Sequence, residues 1–157
     1  MEAGDGERDK GRGASQFDRR NPAPLNYAHA EDDQKIRMQR VTGIGGFFFR
    51  AKNPTAMAQW YKEHLGVDLV PDDYAKQPWS QEAGPTAFAP FPEDTDYFGQ
   101  AGKQWMINFR VRNLDAMVEQ LRAAKIEVAL NAETYPNGRF ARLHDPEGNP
   151  IELWEPK

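Results

Sequence analysis

The sequence predicts an α+β domain assembled from one supersecondary unit used twice, and three observations carry that expectation. Phe49-Arg50-Ala51-Lys52-Asn53-Pro54-Thr55-Ala56-Met57 and Phe109-Arg110-Val111-Arg112-Asn113-Leu114-Asp115-Ala116-Met117 repeat Phe, Arg, Asn, Ala and Met in register, sixty residues apart. In both copies an apolar run gives way at that point to helical spacing. Near the C-terminus a tight-turn sequence, Asp145-Pro146-Glu147-Gly148-Asn149, separates two short apolar stretches. A repeat of this length marks a unit that cannot bury its apolar face alone, and two copies enclose a cleft between them.

The elements follow in order. Residues 1–37 mix Gly, Arg, Asp and Glu without periodicity, and Phe17, Leu25 and Tyr27 are too sparse for a core. That extension is expected to be disordered, leaving a single domain over 38–157 whose units divide near residue 100. Residues 41–50 read as a strand, with glycines that let another group approach the backbone. Asn53 suits an N-cap and Pro54 the first helical position. Met57, Trp60, Tyr61 and Leu65 recur at helical spacing before Gly66, a C-terminal stop. The second unit repeats the plan: a strand over 104–111, a cap at Asn113, then Met117, Leu121 and Ala124 on one face. Lys125 stands where Gly66 stood, so this helix lacks the residue that turns left-handed at least cost. Short strands over 126–130, 140–143 and 150–154 complete the unit. Between the units, residues 67–103 carry Pro71, Pro78, Pro85, Pro90 and Pro92 among Tyr74, Trp79, Phe88, Phe91, Tyr97 and Phe98. Proline forbids a central strand over most of that stretch, although 86–89 can form one. Some of its aromatic rings are expected to line or cover the cleft.

Composition removes several function classes. The chain has 157 residues, a net charge of −4 and 39% apolar residues, which suits one globular domain with some surplus. Without cysteine there is no disulfide framework, thiolate ligand or cysteine nucleophile. Lys and Arg are scattered rather than striped, which argues against nucleic-acid binding. No apolar run is long enough for a membrane span. The N-terminal stretch carries Glu2, Asp5, Glu7 and Asp9 and no apolar core, unlike a targeting signal. A cytoplasmic protein acting on a small molecule remains.

A strand–helix–three-strand unit, repeated, and ending in Gly-Arg-Phe-Ala-Arg-Leu-His-Asp-Pro-Glu-Gly-Asn-Pro-Ile-Glu-Leu-Trp-Glu-Pro over 138–156, resembles the vicinal-oxygen-chelate superfamily. This is the group of glyoxalase I, the bleomycin-resistance proteins and the extradiol dioxygenases. The resemblance covers residues 38–157 and implies paired βαβββ modules, about 38–100 and 101–157, in a curved mixed sheet around a cleft. The turn residues Asp145, Glu147 and Asn149 are accounted for by turn chemistry alone: a side chain bonding the backbone, a preset torsion at Pro146, a positive φ at Gly148.

The superfamily's enzymes hold a divalent metal through His, Gln and Glu side chains, and the resemblance puts those positions at Gly46, Phe88, Met106 and Glu152. Only Glu152 offers a usable donor, since Gly, Phe and Met supply none for Mg²⁺, Mn²⁺, Ni²⁺ or Zn²⁺. No metal or other cofactor is therefore expected. With Gly46 and Met106 facing inward, strand alternation lines the cleft with Phe48, Phe88, Met106 and Trp154. Asn108 and Glu152 are its polar handles, and Arg139 and Arg142 flank the strand facing Glu152. Apolar walls with a few convergent polar groups suit a ligand pocket. The leading expectation is a metal-free binder of a small apolar or aromatic molecule, resembling the bleomycin-resistance branch, for which the resemblance implies a homodimer. The alternatives are a glyoxalase-like lyase or isomerase with Glu152 as catalytic base, a metal-dependent member of the superfamily, and a non-binding subunit with a filled cleft.

Overall fold

The computed structural model describes residues 39–157, so the extension over 1–37 lies outside the described residues. Residues 39–45 belong to a separate unit and carry neither helix nor strand. Residues 46–157 form a compact unit of their own.

Its first regular element is helix α1 (Pro54–Leu65), and local chemistry sets both ends. The Asn53 side chain accepts from the Ala56 N–H at 3.1 Å, while Pro54 occupies a position whose N–H has no helical partner. Gly66, at φ 71°, ends the helix in the left-handed region. Helix α2 (Leu114–Ala123) starts the same way, with Asn113 accepting from the Ala116 N–H at 2.9 Å. It ends differently. Lys125 takes φ 62° itself, and the Ile126 N–H reaches the Leu121 carbonyl at 3.0 Å, a closure usually built on glycine.

The strands β1 (Ile107–Arg110), β2 (Ala129–Leu130), β3 (Gly138–His144) and β4 (Pro150–Pro156) form one mixed sheet in the order β1-β4-β3-β2. β1 runs parallel to β4 after the α2 crossover, and β2–β3 and β3–β4 are antiparallel. Period-two alternation turns Ala141, Leu143, Ile151 and Leu153 toward α2, where they join Leu114, Val118 and Leu121 in a core with Met57 and Tyr61 of α1. Ile151 and Leu153 are fully buried, as their place behind Glu152 predicts.

The second repeat thus forms a complete βαβββ unit in an α+β fold. The first contributes its helix, but no strand is assigned over 39–106. Residues 41–50 and 86–89, expected as strands, are irregular. In the first of these, Phe47 and Phe49 are held through their rings, 4.8 and 5.3 Å from Trp105, rather than by a ladder. Gly43, Gly45 and Gly46 add the entropic cost of ordering glycine. Pro85 and Pro90 flank 86–89 and remove ladder donors there.

The turn between β3 and β4 behaves as its composition predicts. Asp145 accepts from the Glu147 and Asn149 N–H groups, each at 2.9 Å, and Gly148 takes φ 74°. Glu147 also reaches across the fold: its carboxylate accepts from the Lys52 N–H at 2.8 and 2.9 Å and from the Asn53 N–H at 3.2 Å. Among the described residues no helix is long and apolar enough to cross a membrane.

Candidate ligand-binding groove

The sheet face opposite α2 carries the polar residues that alternation left behind. Phe140 and Arg142 on β3 share it with Glu152 and Trp154 on β4, and the register sets Arg142 beside Glu152 and Phe140 beside Trp154. Asn108 lies beside Glu152 across the parallel pair.

Glu152 is the centre of this face. Its side chain is only 7% exposed, and a buried carboxylate requires donors. Three supply them: Tyr97 Oη–H at 2.9 Å, Asn108 Nδ2–H at 2.8 Å and Arg142 Nε–H at 3.4 Å. Tyr97 arrives from the proline-rich stretch, its ring stacked 5.0 Å from Phe91. The Arg142 guanidinium lies 3.9 Å over the Tyr97 ring centre and donates through Nη1 to the Tyr97 carbonyl at 3.4 Å. Burial, then the bond to Glu152, pushes the Tyr97 hydroxyl above its ordinary pKa, so it holds its proton as a donor.

Beside this cluster opens a groove of about 610 Å³. Tyr97, Arg142 and Glu152 are among its lining residues, and Phe140 and Tyr135 add aromatic rings to the lining. Phe140 stacks almost parallel to Trp154 at 6.3 Å and meets Tyr135 edge-on at 5.8 Å. Reciprocal backbone bonds between Tyr135 and Gly138, at 2.9 and 3.1 Å, fix that wall. Gly138 adopts φ 134°, and a Cβ there would strike the Glu155 carbonyl and the Trp154 indole. Its absence lets Trp154 Nε1–H donate to the Asn137 carbonyl at 2.8 Å.

The structure brings together Asn108, Arg142 and Glu152, and sets Trp154 beside Phe140. Met106 lines a smaller adjoining hollow of about 100 Å³. Phe48 and Phe88 stand in solvent, 91% and 89% exposed, away from the groove. Their inward orientation presupposed strands that are not formed. Arg139 is also elsewhere. Three residues from Arg142, it falls on the opposite face, where it grips Asp115 through two bonds of 2.6 and 2.9 Å and Glu155 at 3.4 Å. Sequence reasoning missed Tyr135 and Phe140. Phe140 had a usable signal, since it lies two residues before Arg142 in a predicted strand and so shares its face. Tyr135 had none, because a turn aims it.

The residues at this face do not fit a divalent cation. Glu152 accepts from an O–H and two N–H groups, one of them the Arg142 guanidinium, whose charge opposes a cation at its oxygens. Gly46, Phe88 and Met106 offer no oxygen or nitrogen side chain. Among the described residues no three His, Cys, Asp or Glu side chains cluster together.

A family model for the glyoxalase-like domain matches residues 46–154. Among solved structures, TnmS3, an antibiotic binding protein from Streptomyces sp. CB03234, is 24% identical over 67% of this chain and 88% of its own, with a TM-score of 0.43. A glyoxalase/bleomycin resistance protein from the same organism is 28% identical over 34% of this chain and 46% of its own, at a TM-score of 0.30. The glyoxalase family protein from Enterococcus faecalis is 26% identical over 41% and 52%, at 0.32. This chain therefore spans most of TnmS3 but only about half of the other two. No curated protein matches it significantly.

Proposed function

The chain belongs to the glyoxalase-like domain family, and from that membership we propose a metal-independent protein that binds a small planar aromatic molecule in the groove beside Glu152. One observation carries this reading: an aromatic wall stands next to a buried carboxylate that three neighbouring side chains hold by hydrogen bonds. A general base needs a lone pair aimed at the substrate's proton. Glu152 accepts from Tyr97 and Arg142 at Oε1 and from Asn108 at Oε2, three of its roughly four acceptor sites, which makes it the anchor that sets those three side chains. A groove of about 610 Å³ is of ligand size, and the Phe140 ring, nearly parallel to the neighbouring Trp154, offers a flat apolar surface.

Binding and catalysis separate in one experiment. Tryptophan fluorescence, with Trp154 beside the groove, is expected to report saturable binding of planar aromatic compounds. NMR of the same mixtures is expected to recover the compound unchanged. Turnover by the wild type that disappears in Glu152→Gln would replace this reading with a lyase or isomerase using Glu152 as base, since an amide cannot accept the proton. Absence of both binding and turnover across a broad aromatic panel would leave the groove without a ligand role.

A further inference from the structure

We infer that the groove selects aromatic acids, seating the ring on Phe140 and the carboxylate on Arg142. This rests on the binding role proposed above and adds to it the charge of the ligand. Among the described residues lining the groove, Arg142 and Glu152 alone carry charge at neutral pH. They are opposite in sign, but they are not equally presented. The Glu152 side chain is 7% exposed and its Arg142 partner 43%. Glu152 is covered by the three groups bonded to it, so a molecule entering the groove meets the cation rather than the anion.

The guanidinium is also held in place. Nε is committed to Glu152, Nη1 to the Tyr97 carbonyl, and the plane rests on the Tyr97 ring. Nη2 meets no acceptor among the described residues. A guanidinium fixed on two sides loses little freedom when it donates on a third. Arg142 and Phe140 lie two residues apart on one face of β3, about 7 Å along the strand. That separation suits a carboxylate carried on a two-ring system, and Tyr135, edge-on to Phe140, bounds the far side of the ring.

Three matched probes test the assignment by isothermal titration calorimetry: 2-naphthoate, its neutral amide and 2-naphthylmethylammonium. Wild type is expected to bind the acid at least about tenfold tighter than the amide, and the ammonium most weakly. Raising salt should weaken the acid and leave the amide unchanged. Arg142→Gln, which can still donate to Glu152, should bring the acid down to the level of the amide, and Arg142→Lys should keep part of the preference. Tyr135→Ala should weaken acid and amide alike. Acid and amide binding equally to wild type would overturn the charge selection while leaving the binding role intact. So would a preference that survives in folded Arg142→Gln. If that variant does not fold by circular dichroism, the wild-type ratio and its salt dependence decide. No binding of any probe would overturn this assignment, and the binding role would then rest on the broad aromatic panel.

Discussion

Tyr61 illustrates how one side chain serves two chemistries. Its ring belongs to the buried core, yet its hydroxyl needs an acceptor and finds Asp145 Oδ2 at 3.1 Å. Asp145 is itself buried and accepts from Glu147 N–H, Asn149 N–H and Asn149 Nδ2–H as well. Burial, and then the Asp145 charge, pushes the Tyr61 hydroxyl far above its ordinary pKa of 10.0. A raised folded-state pKa contributes stability that is fully present below about pH 10 and lost as pH rises beyond it, because only the unfolded chain ionises there. Tyr61→Phe is expected to cost about 1–3 kcal/mol at neutral pH, measured by urea denaturation, because a buried carboxylate loses a donor. Stability measured from pH 9 to 11 should also decline less steeply in the variant than in wild type. An unchanged alkaline slope would mean that Tyr61 ionises as freely folded as unfolded.

At the scale of elements, the two helix ends make a matched comparison. α1 ends on Gly66 and α2 on Lys125, both with positive φ, and only the second bears the steric cost of a Cβ there. Lys125→Gly is expected to stabilise the protein by about 0.5–1 kcal/mol, the relieved strain exceeding the added unfolded-state freedom, read as a higher thermal midpoint. The same comparison explains what was legible in the sequence. Caps, helix starts and the 145–149 turn depend on residues within a few positions, so Asn53, Asn113 and Gly148 could be read directly. Asn108 and Glu152 could be grouped because alternation holds wherever strands are paired, whereas choosing between Arg139 and Arg142 as the partner of Glu152 needs the register of β3 against β4. Phe48 and Phe88 could not be placed, since alternation carries no meaning in a segment without a ladder partner. Tyr97 sits on an irregular stretch, and its aim comes from Phe91 and Arg142, contacts that no periodicity encodes.

For the whole molecule, the cluster around Glu152 predicts indifference to divalent ions. Dialysed protein is expected to carry no stoichiometric Ni²⁺, Zn²⁺ or Mn²⁺ by elemental analysis, and chelator should leave its melting temperature unchanged. Tight one-to-one metal that is lost in Glu152→Gln would overturn the donor reading of that cluster. The exposed rings of Phe48 and Phe88 bear on assembly, for which the family resemblance implies a homodimer. Sedimentation equilibrium is expected to find a dimer that Phe48→Ser shifts toward monomer, and a wild-type monomer at millimolar subunit concentration would contradict it. The carboxylate of Glu147 has a further bearing, on the order in which the chain is made. It satisfies amides 95 and 94 positions earlier, just where α1 begins, and Asp145 holds Tyr61 from 84 positions away. On a ribosome, α1 emerges before every other described element, but its start stays open to water until Glu147 has been synthesised. A nascent chain halted before Asp145 should therefore show α1 amides in rapid hydrogen exchange. Protection should appear only once Glu147 has cleared the exit tunnel, so α1, though translated before α2, waits on a turn made after it.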